Sequence, residues 1–80
     1  MTRYVYSDHA VERMLQRDIS PDIIMQVSKT PDGRIRQSMD KVILFKKIKG
    51  RSDNMIAIVL VAKFDVIEII TVMNYFQERP

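Results

Sequence analysis

Three residues near the start of the chain, His9, Arg13 and Arg17, combine an imidazole with two guanidinium groups at four-residue spacing. On a helix, at ~100° per residue, this spacing places the three side chains within an arc of about 80°. A histidine can move protons near neutral pH, and guanidinium groups bind a phosphodiester and stabilise negative charge on it. A metal-independent ribonuclease needs these groups when the RNA 2′-hydroxyl attacks the neighbouring phosphate.

A solvated helix face explains the same three residues without any chemistry. In that case His9 bonds to Asp8 or to a loop, and the arginines pair with Glu12 and Asp18. Charged helix faces are common, so the spacing alone favours this second explanation.

Thr71 is a hydroxyl residue inside the apolar run IEIITVMNY. Its hydroxyl could contact phosphate and so complete a site with the residues of the helix face. More often, a threonine at such a position is a strand-forming residue on a half-buried sheet face. Both explanations remain open for Thr71.

Seven basic residues and one acidic residue lie between positions 34 and 51, for a local net charge of +6. The rest of the chain carries six basic and nine acidic residues, a net charge of −3. One of the basic residues is Lys41. The other six are predicted to bind RNA: Arg34, Arg36, Lys46, Lys47, Lys49 and Arg51. Such a segment suits a polyanion or an acidic protein, and a solvated hairpin face is the alternative.

Composition limits the kinds of site and the compartment. With no cysteine and one histidine, the chain lacks a thiolate nucleophile and the usual zinc ligands, so we predict neither a metal nor a cofactor. Residues 1–80 make one domain, and a hydrophobic content of 46% is ample for a core. No run reaches the ~18 apolar residues of a membrane helix, and the N-terminus lacks an apolar signal core. We therefore expect a cytoplasmic protein with no membrane contact.

Two helices are predicted in the first part of the chain. Ser7 is a good N-cap for a helix over residues 8–16, and Ser20 caps a second helix in which Pro21 takes the first position. Thr30 precedes a proline and ends the second helix. The side chains predicted to face the core from the first helix are Ala10, Val11, Met14 and Leu15.

The rest of the chain has the pattern of a sheet. The predicted strands are Arg34–Ser38, Lys41–Lys49, Met55–Ala62 and Val66 to about Tyr75, with a hairpin loop at Gly50–Asn54. Short connections favour antiparallel pairing. The prediction is an α+β domain, in which a helical hairpin at 7–30 packs on a curved, mainly antiparallel four-stranded sheet at 32–76.

The predicted strands at 55–62 and 66–73 are apolar on both faces, whereas two short helices can cover only one face of the sheet. We expect a homo-oligomer or a partner protein to cover the second face. Two alternatives are that the sheet curls around its own core and that Tyr75-Phe76 folds back over it.

The run SDHAVERMLQRDISPDIIMQV resembles the opening H-A-x-x-R-M-x-x-R-x-I-s-x-x-x-I of a small domain of uncharacterised function. That domain is grouped with the RelE/ParE-like toxin superfamily, near the BrnT toxins. The likeness extends more loosely to the last strand, VIEIITV, and so covers essentially the whole chain. The matching residues are His9, Ala10, Arg13, Met14, Arg17, Ile19 and Thr71.

The resemblance implies a fold of the barnase–EndoU–colicin–RelE kind and a toxin-like RNA endonuclease, neutralised by an antitoxin-like protein. It implies His9 as general base or acid, with Arg13, Arg17 and Thr71 at the phosphate. The sequence thus leaves two hypotheses: a toxin-like protein that binds or cleaves RNA without a metal, and a non-catalytic dimeric or partner-binding module of the same fold.

Overall fold

The computed structural model describes residues 2–53 and 55–77, so the last residue of the predicted loop at Gly50–Asn54 lies outside the described residues. Within this part of the chain, a short strand precedes two helices and four further strands. The elements are β1 (Arg3–Tyr6), α1 (Asp8–Arg17), α2 (Pro21–Lys29), β2 (Gly33–Arg36), β3 (Lys41–Lys46), β4 (Ile56–Lys63) and β5 (Val66–Met73).

The sheet has five strands in the order β1-β5-β4-β3-β2 and is mixed. β1 runs parallel to β5, while all other neighbours pair in antiparallel fashion. The prediction of an α+β domain is confirmed, but the four-stranded sheet is wrong because β1 was missed. β1 has four residues, RYVY, and its partner β5 lies some sixty positions later, so no local pattern identifies the pairing.

Local capping residues fix where the helices begin and end. Ser7 accepts a hydrogen bond from the backbone N–H of Ala10, and Ser20 accepts one from Ile23. Pro21 takes the first position of α2, where its missing N–H leaves no unpaired donor. Asp18 ends α1 in the left-handed conformation, with φ of 54°. These short-range interactions produce the predicted break and restart of the helix.

Both helices pack on the same face of the sheet and form the main core there. α1 lies on β5, and α2 lies on β3 and β4. The largest fully buried side chains of this core are Ile24, Ile56, Ile58, Ile69, Val27 and Val72. From α1 only Ala10 and Met14 are buried, whereas Val11 is 44% and Leu15 is 81% exposed. The prediction that all four face the core is therefore wrong for Val11 and Leu15, because α1 contacts the sheet through a narrower stripe.

The second face of the sheet carries a smaller apolar cluster centred on Ile43, Phe45 and Val59. Phe76 covers part of it, since its ring centroid lies 5.3 Å from that of Phe45. The backbone N–H of Phe76 donates to the carbonyl of Met55 at 3.0 Å and holds the segment just after β5 over this face. The fold-back of the chain after β5, one of the two alternatives to a partner, is thus present in the monomer.

Gly33 in β2 makes room for the ring of Phe45 in β3. The two residues are paired across the strands, and a Cβ atom at position 33 would overlap the Phe45 ring. A larger residue at position 33 would therefore have to displace the buried Phe45 ring.

Candidate functional site

His9 and Arg13 meet on the exposed side of α1, one helical turn apart. The Nε of Arg13 donates a long hydrogen bond of 3.4 Å to Nε2 of His9, and its Nη1 donates to Oε1 of Gln16 at 2.9 Å. Gln16 in turn donates to Glu12 at 3.3 Å. The helix thus presents a histidine and a cation together at the surface.

Arg17 is turned from this pair toward the sheet. It is half-buried, and its Nη1 donates to the carbonyl of Val72 in β5 at 3.4 Å. At the other end of α1, Ser7 binds the same strand, because its backbone N–H donates to Ile69 and its hydroxyl donates to the carbonyl of Ile70 at 2.8 Å. Arg17 and Ser7 therefore attach both ends of α1 to β5.

Thr71 lies on the sheet face opposite to the helices. It is paired with Val59, whose side chain belongs to the cluster of the second face. Ile69 faces the helices, and simple alternation would place Thr71 on that side as well. A β-bulge intervenes, because Ile69 and Thr71 pair with consecutive residues of β4 and leave Ile70 as an extra residue. The structure therefore brings His9 and Arg13 together but separates Thr71 from them by the sheet.

Three of the six predicted RNA-binding residues use their charged groups inside the molecule. Arg36 donates to the carbonyls of Ser38 and Met39 in its own hairpin. Lys46 donates to the carbonyl of Thr30 at 2.9 Å and lies 3.7 Å from the carboxylate of Asp32. The third residue, Arg51, makes a larger network.

Arg51 joins the loop after β3 to the break between the helices. Its Nε and Nη2 each donate to the carboxylate of Asp53 at 2.8 Å, and Nη1 and Nη2 donate to the backbone carbonyls of Asp18 and Arg17. Asp53 is only 6% exposed. The hydrogen bond from Arg51 lowers the pKa of Asp53 below its usual value, although burial opposes this effect, and Asn74 adds a smaller lowering. Arg51 therefore binds the carbonyl end of α1. This structural role was not predicted from the sequence, which suggested RNA binding.

Arg34, Lys47 and Lys49 form the remaining basic surface. All three are exposed, and their side chains make no hydrogen bond or ion pair with the described residues. Arg34 lies on the edge strand β2, and the two lysines flank the buried Ile48 in the segment that follows β3. Their charged groups are thus available to a ligand, in contrast to those of Arg36, Lys46 and Arg51.

Asp53 is the residue of this region that sequence reasoning missed. It was treated as a turn residue of a hairpin loop, and its partner Arg51 as part of a charged surface. The one sequence signal is the spacing Arg51-x-Asp53 within a segment otherwise dominated by cations.

Between residues 2 and 77, leaving out position 54, no group of three or more His, Asp or Glu side chains is placed to hold a metal ion. No helix of the same described part is long and apolar enough to cross a membrane.

Comparison with known families matches residues 6–74 to the family described as a domain of unknown function, DUF4258. The chain belongs to the DUF4258 family. The matched part of this DUF4258 domain extends from the end of β1 through both helices to the end of β5. No curated protein and no solved structure matches the chain significantly. The family thus identifies the domain but assigns it no activity.

Proposed function

We propose that this DUF4258 domain is a toxin-like RNA-binding protein of the RelE/ParE-like, BrnT-related kind, which contacts RNA phosphates through Arg34, Lys47 and Lys49. The observation that carries the proposal is the exposure of these three cations with no partner among the described residues, within a segment of net charge +6. Cations that are already paired would have to give up their bonds before they could bind phosphate, whereas these three need not. Binding would release counterions from the RNA and would depend steeply on salt.

Salt-dependent binding to single-stranded RNA tests this proposal. We compare the wild type with the triple variant Arg34→Gln, Lys47→Gln, Lys49→Gln by fluorescence anisotropy over a range of salt concentrations. Because each lost phosphate contact reduces the slope of log K against log salt by ~0.7 for single strands, the triple variant should lose about 2 from this slope.

A matched control removes the same charges elsewhere. The triple variant Arg3→Gln, Lys29→Gln, Lys63→Gln also replaces one exposed arginine and two exposed lysines, all outside residues 34–51. It should retain most of the wild-type slope. Equal losses in both triple variants, or no salt-dependent binding by the wild type, would contradict the proposed binding surface.

RNA cleavage is a second candidate, and the contact between His9 and Arg13 favours it. The imidazole is exposed and stands next to a guanidinium, so a phosphodiester bound by Arg13 would lie within reach of a proton acceptor. Thr71 would take no part, since it lies on the opposite sheet face.

Incubation of RNA with the pure protein in a chelating buffer tests this candidate. The wild type should produce fragments with 2′,3′-cyclic phosphate ends, and His9→Ala should reduce the rate by about 100-fold or more. Thr71→Val should cleave at the wild-type rate. Intact RNA with folded wild-type protein, or undiminished cleavage by His9→Ala, would overturn the role of His9 while leaving the binding proposal standing.

A further inference from the structure

A surface groove lies between the outer side of α1 and the start of α2. Its volume is about 360 Å³, within the range of pockets that bind ligands in proteins. The groove is lined by Val11, Met14, Leu15, Asp18, Ile19, Ser20 and Pro21. Met14 and Ile19 are buried and belong to the main core, so the base of the groove is fixed by the packing of the domain.

Val11 and Leu15 leave apolar surface unburied in this groove. They are one helical turn apart, and Leu15 is 81% exposed although the adjacent Met14 is buried. Scattered exposed leucines are common, but an exposed pair joined to a groove with an apolar base is typical of an interaction site. The apolar arc of α1 is thus wider than the contact with the sheet requires.

Asp18 lines the groove, and three further carboxylates lie on the helices that form it. At ~100° per residue, Asp8 and Glu12 fall on the same flank of α1 as Val11 and Leu15, within an arc of about 100°. The basic residues of α1 lie on the other flank. At the far end, Asp18 lines the groove, and Asp22 is exposed in the first turn of α2. Arg51 reaches the backbone carbonyl of Asp18, but its guanidinium is also bonded to Asp53.

The acidic rim decides between occupants. RNA phosphate would be repelled by it. A second copy that joined through a twofold axis would use the same patch, so it would bring a second acidic rim and no excess of cations to the interface. A partner that carries apolar side chains on one side and cations beside them satisfies both the groove and its rim.

We infer that this groove binds a basic amphipathic helix of a partner protein. Apolar side chains at i and i+3 or i+4 of the partner insert between Val11 and Leu15 over Met14 and Ile19, as in other helix-in-groove complexes. Lys or Arg side chains beside them pair with Asp8, Glu12, Asp18 and Asp22. The interaction uses a different surface from the proposed RNA contacts and does not depend on them.

Binding of three designed helical peptides to the full chain tests the inference. The first has leucines on one face with lysines beside them, the second has the same leucines with glutamates, and the third keeps the lysines but replaces the leucines by serines. The first should bind at least roughly tenfold more tightly than the other two, since only it matches both the groove and the rim. Its affinity should fall with added salt.

Leu15→Gln should weaken the first peptide by roughly tenfold, because a buried leucine contact is lost. The exposure of Leu15 keeps this variant folded, which circular dichroism verifies. Met39→Gln serves as the matched control, since Met39 is 90% exposed on the turn between β2 and β3, and it should bind like the wild type. The double variant Asp8→Asn, Glu12→Gln should weaken the lysine peptide and improve the glutamate peptide.

Three outcomes would overturn the inference. In the first, no peptide binds, or the glutamate peptide binds as well as the lysine peptide. In the second, light scattering finds wild-type self-association that Leu15→Gln abolishes, which assigns the groove to a second copy. In the third, RNA displaces the peptide from the wild type, and Leu15→Gln weakens RNA binding as well. This result assigns the groove to nucleic acid.

Discussion

The buried carboxylate of Asp53 helps to fix the break between the two helices through its bond to Arg51. It binds Arg51 through two hydrogen bonds, and Arg51 in turn binds the last carbonyls of α1. A buried charge without its partner is costly, so the two residues stabilise the fold only together. The guanidinium at position 51 therefore stabilises the fold.

The lowered pKa of Asp53 predicts a specific loss of stability in acid. Above its usual unfolded value of about 4, the carboxylate is ionised in both states, and the interaction with Arg51 is fully present. As the pH falls below that value, the unfolded chain binds a proton first, so the free energy of unfolding decreases until the folded state is protonated too. Urea unfolding at a series of pH values should show this decrease in the wild type.

Asp53→Asn should be less stable than the wild type at neutral pH by about 1–3 kcal/mol and should depend less on pH below about 4. Asp65→Asn is the matched control, because it removes one exposed carboxylate without disturbing the pair. It should keep the wild-type pH profile. An Asp53→Asn profile that runs parallel to that of the wild type would show that this carboxylate is not responsible.

Helix ends could be predicted because they depend on neighbouring residues. Strands that form by pairing with a distant part of the chain could not. Ser7, Ser20 and Pro21 sit at the predicted caps because a cap depends on groups within four residues. β1 escaped prediction because a four-residue strand becomes recognisable only beside β5. The strand ends were also displaced, since β3 stops at Lys46 while the basic run continues to Lys49.

The candidate site shows the same division. The pairing of His9 with Arg13 follows from helical spacing and is present, whereas the position of Thr71 depends on a β-bulge that one-dimensional alternation does not reveal. The width of an apolar arc likewise does not tell how much of it is buried. Ala10 and Met14 contact the sheet, and the same pattern leaves Val11 and Leu15 exposed.

At the scale of the whole molecule, the two sheet faces are covered by different means. The helices cover one face, and on the other the segment after β5 returns so that Phe76 packs on Phe45. Ile43, Phe45 and Val59 are buried beneath Phe76 and other partly buried side chains of this face, which include Met55, Ile70 and Met73. Val11 and Leu15 remain exposed on α1, while Arg34 lies on β2 and Lys47 and Lys49 follow β3.

Because the Phe76 ring covers Phe45 on the second face, its removal should have two measurable effects. Phe76→Ala keeps the backbone bond to Met55 but uncovers Phe45, so the free energy of unfolding should fall by about 1–2 kcal/mol, and self-association should increase as apolar surface is exposed. Urea denaturation and light scattering over a range of concentrations measure the two effects. Tyr75→Ala, which truncates a more exposed aromatic neighbour, should change stability by less than about 0.5 kcal/mol. If Phe76→Ala behaved like Tyr75→Ala in both measurements, the return of the chain would contribute no cover, and the second face would again require a partner.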